Sequence, residues 1–220
     1  MLKFNNLKLN FKPMPGNQRN TSNKPYLRIV GGNLAQTVDK DTPNAKLREY
    51  ELSNGDKGSK WELVYMNWAG KIKNIYFKDT EYGTVCNVDF GDAMITINTE
   101  SRYFSDFACK VLGADLKQEI TFHPYDIEIE DGKKRTGVSL QQNGQKLKNF
   151  FYDYETKESK GGFPAVDEKQ KAKLKKNYWK VYFAEITAFL IEQIDKLGFD
   201  EPAKQELVTD DGIPTDLPFN

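Results

Sequence analysis

Trp61-Glu62-Leu63-Val64-Tyr65-Met66-Asn67-Trp68, Lys71-Ile72-Lys73-Asn74-Ile75-Tyr76-Phe77-Lys78, Thr84-Val85-Cys86-Asn87-Val88-Asp89-Phe90 and Ala93-Met94-Ile95-Thr96-Ile97-Asn98 follow one another with only short breaks. Each run is rich in aromatic and β-branched residues, which fit a pleated, half-buried surface. The breaks, Ala69-Gly70, Asp79 to Gly83 and Gly91-Asp92, are turn chemistry. The spacing predicts a β-meander at the centre of a sheet or barrel. The period then changes. Tyr103, Phe104, Phe107, Ala108, Val111 and Leu112 recur at helical spacing, with Ser101 as N-cap and Gly113 as stop. Strands resume at 119–122 and 125–129, Asp131-Gly132 signals a hairpin, and 135–141 and 145–152 follow around the tight turn Asn143-Gly144.

Upstream, Tyr26 to Val30 reads as a strand ending at Gly31-Gly32, residues 33–45 as loop, and Lys46 to Leu52 as a further strand. Residues 1–24 are rich in Asn, Lys and Pro, and Leu7 to Phe11 alternates briefly, as a short strand or arm does. Downstream, residues 153–166 are polar and carry Gly161-Gly162 and Pro164, so they read as loop. From Asp167 to Leu197 a helical stripe runs through Leu174, Tyr178, Tyr182, Ile186, Phe189, Leu190 and Ile194. That stripe packs either on the barrel or on a second subunit, which leaves a homo-oligomer open. Strands, one helix, then more strands resembles the Greek-key OB-fold, whose helix sits between the third and fourth strands and which often binds oligonucleotides. SH3-like barrels and small sandwiches share parts of that order. The expected fold class is mainly β: an OB-like barrel with one internal helix, a long C-terminal helix and a disordered acidic tail.

The tail reads Val208-Thr209-Asp210-Asp211-Gly212-Ile213-Pro214-Thr215-Asp216-Leu217-Pro218-Phe219-Asn220, with no Lys, Arg or His after Lys204. Gly212, Pro214 and Pro218 argue against helix or central strand, so the segment should be mobile. Asp210-Asp211-Gly212-Ile213-Pro214 and Asp216-Leu217-Pro218-Phe219 resemble the acidic tip of single-stranded DNA-binding proteins of bacteria and phages, typically Asp-Asp-Asp-Ile-Pro-Phe, here in split form. In that family the tip recruits replication and repair proteins and competes with DNA for the protein's own basic groove. The resemblance therefore implies partner-binding roles for Asp210, Asp211, Ile213, Pro214, Asp216, Leu217, Pro218 and Phe219. It departs in two ways: Asn220 follows the Phe that normally ends the chain, and the long Gly/Gln/Pro-rich linker is missing.

Composition agrees with a charged globular protein, and the formal net charge is zero. The charge is uneven. Taking the tail acids Glu206, Asp210, Asp211 and Asp216 from the 32 acidic residues leaves 28 against 32 basic ones. A mildly basic body with an acidic arm suits a polyanion binder. Cys86 and Cys109 are far apart in apolar context and read as buried free thiols. No Cys/His spacing supports a metal site. His123 is the only histidine and fits no motif. Asp89-Phe90-Gly91 matches a kinase element, but the Gly-rich loop and His-Arg-Asp are absent, so it reads as a turn. No catalytic residue, cofactor, signal segment or membrane span is expected.

The candidate nucleic-acid surface is aromatic residues interleaved with lysines. Trp68, Lys71, Lys73, Tyr76, Phe77 and Lys78 are expected in one hairpin, because single strands are held by base stacking on rings and by phosphate contacts to cations. Strand alternation would put Lys71, Lys73 and Phe77 on one face, Tyr76 and Lys78 on the other. Lys133, Lys134 and Arg135 at a hairpin tip, with Lys146 and Lys148 beyond it, form a second basic cluster. The resulting expectation has three regions: 1–152, an OB-like DNA-binding domain with an N-terminal extension; 153–199, loop and helix; and 200–220, flexible acidic tail. Its function would be to bind single-stranded DNA without sequence preference in replication, recombination or repair, in the cytoplasm of a bacterium or phage-infected cell. The alternatives are a non-catalytic interaction or virion protein with a β-sandwich and, third, a magnesium-dependent nuclease.

Overall fold

Three of the four runs expected in the meander form one: Asn74–Thr80 (β6), Gly83–Asp89 (β7) and Met94–Asn98 (β8) pair antiparallel in sequence order. The computed structural model describes residues 24–51, 55–129 and 132–199, so the Leu7–Phe11 stretch and the tail from residue 200 lie outside the described residues. Before the meander come Tyr26–Val30 (β1), Asn33–Thr37 (β2), Lys46–Glu51 (β3), Lys57–Tyr65 (β4) and Trp68–Gly70 (β5). After it come the helix Arg102–Val111 (α1), then Ile120–Glu128 (β9), Lys134–Gln142 (β10) and Gln145–Lys146 (β11). The helices Glu168–Leu174 (α2) and Tyr178–Asp195 (α3) close the described chain. The protein is mainly β, in two sheets, with one internal helix and a C-terminal helical segment. The larger sheet has the order β3-β4-β2-β1-β8-β7-β6, and the smaller has β11-β10-β9-β5.

Five expectations are corrected. Residues 33–37 are a strand, not loop: Gly31 and Gly32, at φ 52° and 76°, make the two-residue hairpin that joins β1 to β2. Gly32 also has no room for a side chain, since a Cβ there would press into the backbone of Tyr125 and Asp126. The runs 61–68 and 71–78 do not form a hairpin. β4 pairs with β2 and β3, β5 crosses to β9, and β6 pairs with β7, so the chain leaves one sheet for the other between Trp68 and Asn74. The two strands expected at 119–129 are one, β9, which runs through Pro124. β11 is only two residues long. The long helix is two, broken at Lys175, whose φ is 50°.

Pro124 is tolerated because of what α1 does to β10. Val138 lies opposite Pro124. Its N–H donates to Asp106 on α1 at 2.8 Å, and its carbonyl accepts from Lys110. Both Val138 groups therefore point away from β9, which makes this a non-hydrogen-bonded pair. The missing N–H of Pro124 then lies on the far edge of β9, beyond the short reach of β5, where no ladder bond is lost. Asp106 and Lys110, themselves paired at 2.6 Å, thus close the open side of β10 with side chains in place of a neighbouring strand.

One core serves both sheets, α1 and α3. α1 is capped by Ser101, whose hydroxyl accepts from the Phe104 N–H at 3.3 Å. It buries Phe104, Phe107, Ala108 and Val111 against Ile95, Ile97, Phe122, Val138 and Leu140. From α3, Ile186, Leu190 and Ile194 join the same cluster, with Tyr182 and Phe189 packed against it, so this part of the stripe expected at 174–194 packs on the chain's own core, while Leu174 and Tyr178 lie outside that cluster. Cys86 and Cys109 are free and buried, as read from sequence. Burial pushes the Cys86 thiol above its ordinary range and Cys109 up to about 12.

Candidate nucleic-acid interface

Side chains alternate across a strand, and residues in register share a face, so the pairing alone sorts the larger sheet into an inside and an outside. One face carries Ile75 and Phe77, Cys86 and Val88, Ile95 and Ile97, and Leu27, all in or against the core. The other runs in register through Tyr76, Asn87, Thr96, Arg28, Ala35 and Val64. Flanking that row on the same face stand Lys78, Tyr26, Glu62, Lys60, Arg48, Lys46 and Tyr50. This outward face is polar, basic and studded with tyrosines.

At its centre Thr96 donates to the Asn87 side chain at 2.8 Å, giving a low polar floor. Tyr26, 62% exposed, and the half-buried Tyr76 stand on either side of it. Burial, helped by the nearby Tyr26 and Asp89, raises the Tyr76 hydroxyl's pKa. Lys24, Tyr26, Arg28, Thr37 and Thr96 line a shallow groove of about 390 Å³ beside this floor. Lys24 pairs with Asp89 at its end.

Across β1 to β4 a buried carboxylate organises the cations. Glu62 is 1% exposed although it lies on the outer face. Arg48 grips it with two bonds, at 2.7 and 3.0 Å, and Arg28 reaches it over the small Ala35. The Arg48 bonds, and then Arg28, hold the Glu62 carboxyl below the usual carboxylate range against the opposing effect of burial, and Glu62 in turn raises Arg48. A carboxyl whose folded pKa is depressed adds stability that is complete above its unfolded value, about 4.3. That stability is lost as pH falls through the lower folded value. Glu62→Gln should therefore flatten the acid limb of stability, measured by urea unfolding from about pH 7 to about pH 3. An acid limb as steep as wild type's would show that Glu62 does not titrate in that window.

The expected binding residues are divided by the fold. Tyr76 and Lys78 lie on the outer face. Phe77 points inward, its ring 6.0 Å from Phe104 in an edge contact. Lys71 and Lys73 are exposed in the link between β5 and β6, with Ile72 buried between them, so they do not share a strand face with Phe77. Trp68 is pinned at the other sheet: its indole N–H donates to Asp92 at 3.2 Å and its ring meets Tyr65 edge-on. Lys133 and Lys134 are exposed at the β9–β10 hairpin. Arg135 and Lys146 come together with Lys110, His123 and Tyr125 around a groove of about 490 Å³ on the smaller sheet. Lys148 lies elsewhere, over the Tyr154 ring. The tail residues Asp210, Asp211, Ile213, Pro214, Asp216, Leu217, Pro218 and Phe219 lie outside the described residues.

Sequence reasoning missed Tyr26, Arg28, Arg48, Tyr50 and Lys60. They reach the face only because β1 lies parallel to β8, a strand far along the chain, and no local pattern announces that pairing. Among the described residues no cluster of three or more His, Cys, Asp or Glu side chains is arranged to hold a metal ion, and no helix is long and apolar enough to cross a membrane. No family model, no curated protein and no solved structure matches this chain.

Proposed function

We propose that this protein binds single-stranded DNA without sequence preference, on the outer face of the larger sheet. The observation that carries the reading is the interleaving there of Tyr26 and Tyr76 with Lys24, Arg28 and Lys78 around the Asn87–Thr96 floor. Sequence-tolerant binding of single strands needs ring faces for bases and cations for phosphates, and no base-edge readout.

An OB-like barrel is the finer fold reading. Counting β5 and β6 as one bent first strand, β7 and β8 are the second and third, α1 follows, and β9 and β10 are the fourth and fifth. OB-folds bind oligonucleotides on the face of strands two and three and with the loops after strands one and four. Here those would be the Asn87–Thr96 face, the β6–β7 turn bearing the 83%-exposed Tyr82, and the β9–β10 hairpin with Lys133 and Lys134. One departure is that the edge of β8 takes β1, while α1 side chains serve β10. On this reading the acidic tail recruits replication or repair proteins and competes with DNA for the lysines, as an arm tethered at high effective concentration would.

The test is anisotropy of a labelled dT oligomer at two salt concentrations, with duplex DNA as control. Binding to dT that weakens with salt and exceeds duplex binding is expected. Removing residues 206–220 should tighten it, most at low salt. No dT binding at low salt overturns the reading. It would leave the second one, a non-catalytic interaction protein, which the exposed Trp179, Val181 and Phe183 of α3 favour.

A further inference from the structure

We propose that the four N-terminal strands carry a phosphate-binding site of their own. In it Arg28, Arg48, Lys46 and Lys60 contact the phosphodiester groups of a single strand that runs on from the tyrosine-lined floor, and Glu62 positions the two arginines. The proposal rests on the single-strand reading above and extends it onto strands that lie outside the OB-like core.

Arg28 and Arg48 approach Glu62 from opposite sides, from β1 and from β3, so one carboxylate fixes both guanidinium planes. Their side chains remain about a third exposed, at 36% and 33%. The carboxylate does not use up their donors. Arg28 Nε is buried without a hydrogen-bond partner, and a buried donor left unpaired is costly unless a ligand completes it. Tyr50 lies across Gly58, where an added Cβ would come within 2.6 Å of the ring. Arg48 and Lys60 both sit 5.3 Å from the centre of that ring, which gathers them at one spot. Lys46, directly opposite Glu62 in register, is exposed. Four cations thus surround a single carboxylate, leaving a net positive patch in which the guanidinium groups are ordered before any ligand arrives. Ordered arginine forks match phosphate oxygens, and their fixed geometry lowers the entropy lost on binding. The patch is continuous with the floor, because Arg28 belongs to both.

The experiment compares dT oligomers of about 6 and about 16 nucleotides, within the range of sites on single OB-type folds, by anisotropy across a salt series. Wild type should gain affinity and a steeper salt dependence with the longer oligomer. The double variant Lys46→Gln/Lys60→Gln should bind the short oligomer as wild type does. On the long one its log–log salt slope should be shallower by about 1.4, or about 0.7 for each single-strand phosphate that is no longer neutralised. Glu62→Gln removes one negative charge, so simple charge attraction predicts tighter binding. A positioning role predicts weaker binding of the long oligomer, and that is the expected result, with thermal melts confirming that the variant is folded. If wild type binds and the lysine double variant matches it at both lengths, this inference fails alone. If Glu62→Gln binds more tightly, the positioning role fails. If wild type binds neither oligomer, the single-strand reading and this inference fall together.

Discussion

Asp106→Ala should destabilise the protein by about 3 kcal/mol. This is the sum expected from stranding one buried backbone N–H and removing a tyrosine's partner, and it should lower the melting temperature by roughly 6–12 °C for a chain of this size. Asp106 accepts from the N–H of Val138, a residue fully buried in the core, and from the Tyr125 hydroxyl at 3.3 Å, and it pairs with Lys110. Without it, Val138 keeps its position but its N–H faces an apolar gap, since β10 has no neighbouring strand there. Tyr125 loses its anchor above Gly137, whose missing side chain leaves the space that the Asp106 carboxylate and the Tyr125 hydroxyl fill. Asp106→Asn keeps an acceptor oxygen in the same place and should recover most of the loss, while surrendering the ion pair. Melts of the two variants separate the two effects. If alanine and asparagine destabilise equally, the charge pair with Lys110 matters and the edge-sealing hydrogen bond does not.

That edge also marks the limit of what the sequence reveals. The meander from β6 to β8, the capped α1 and the hairpin turn at Asn143-Gly144 were legible because each is specified by neighbours. The meander shows alternating runs, α1 has Ser101 three residues before Phe104, and the turn has two residues suited to its left-handed φ of 53° and 75°. The strand β2 was not legible, because Asn33-Leu34-Ala35-Gln36-Thr37 has weak strand character and is held by partners on both sides, β1 and β4. The same holds for the break between β5 and β6. Trp68 and Tyr76 look like one hairpin until β9, beyond α1 in the chain, claims Trp68 for the other sheet. The candidate interface suffers most, because it is built by non-local pairing. Tyr76 and Lys78 were visible as an aromatic–lysine pattern, but Tyr26, Arg28 and Arg48 join them only through β1 lying on β8 and β3 on β4. Phe77 shows the converse. Its sequence context equals that of Tyr76, and one step of strand alternation turns it inward onto Phe104.

The double variant Tyr26→Ala/Tyr76→Ala should lower affinity for dT about a hundredfold or more. Each stacked base is worth roughly 1–3 kcal/mol, and about 1.4 kcal/mol is a factor of ten. The two residues sit on β1 and β6, with β8 and β7 between those strands, and both face outward, so each offers its own ring to the strand. Their hydroxyls are polar tips, and the ring faces carry the stacking. Tyr→Phe at both positions should therefore retain most of the affinity. Neither ring neutralises a phosphate, so the salt slope of the alanine double variant should stay at the wild-type value even as affinity falls. That pattern, lower affinity at constant slope, is the opposite of what loss of Lys46 and Lys60 should produce. Phe77→Ala supplies the control from the inner face of the same strand. It should cost stability through a cavity beside Phe104, yet leave the affinity of the folded fraction unchanged. If the tyrosine double variant binds dT as wild type does, the strand does not cross this face. If its melting temperature falls as far as that of Phe77→Ala, the two tyrosines are packing residues and the lysine-rich hairpin at 133–135 becomes the place to look.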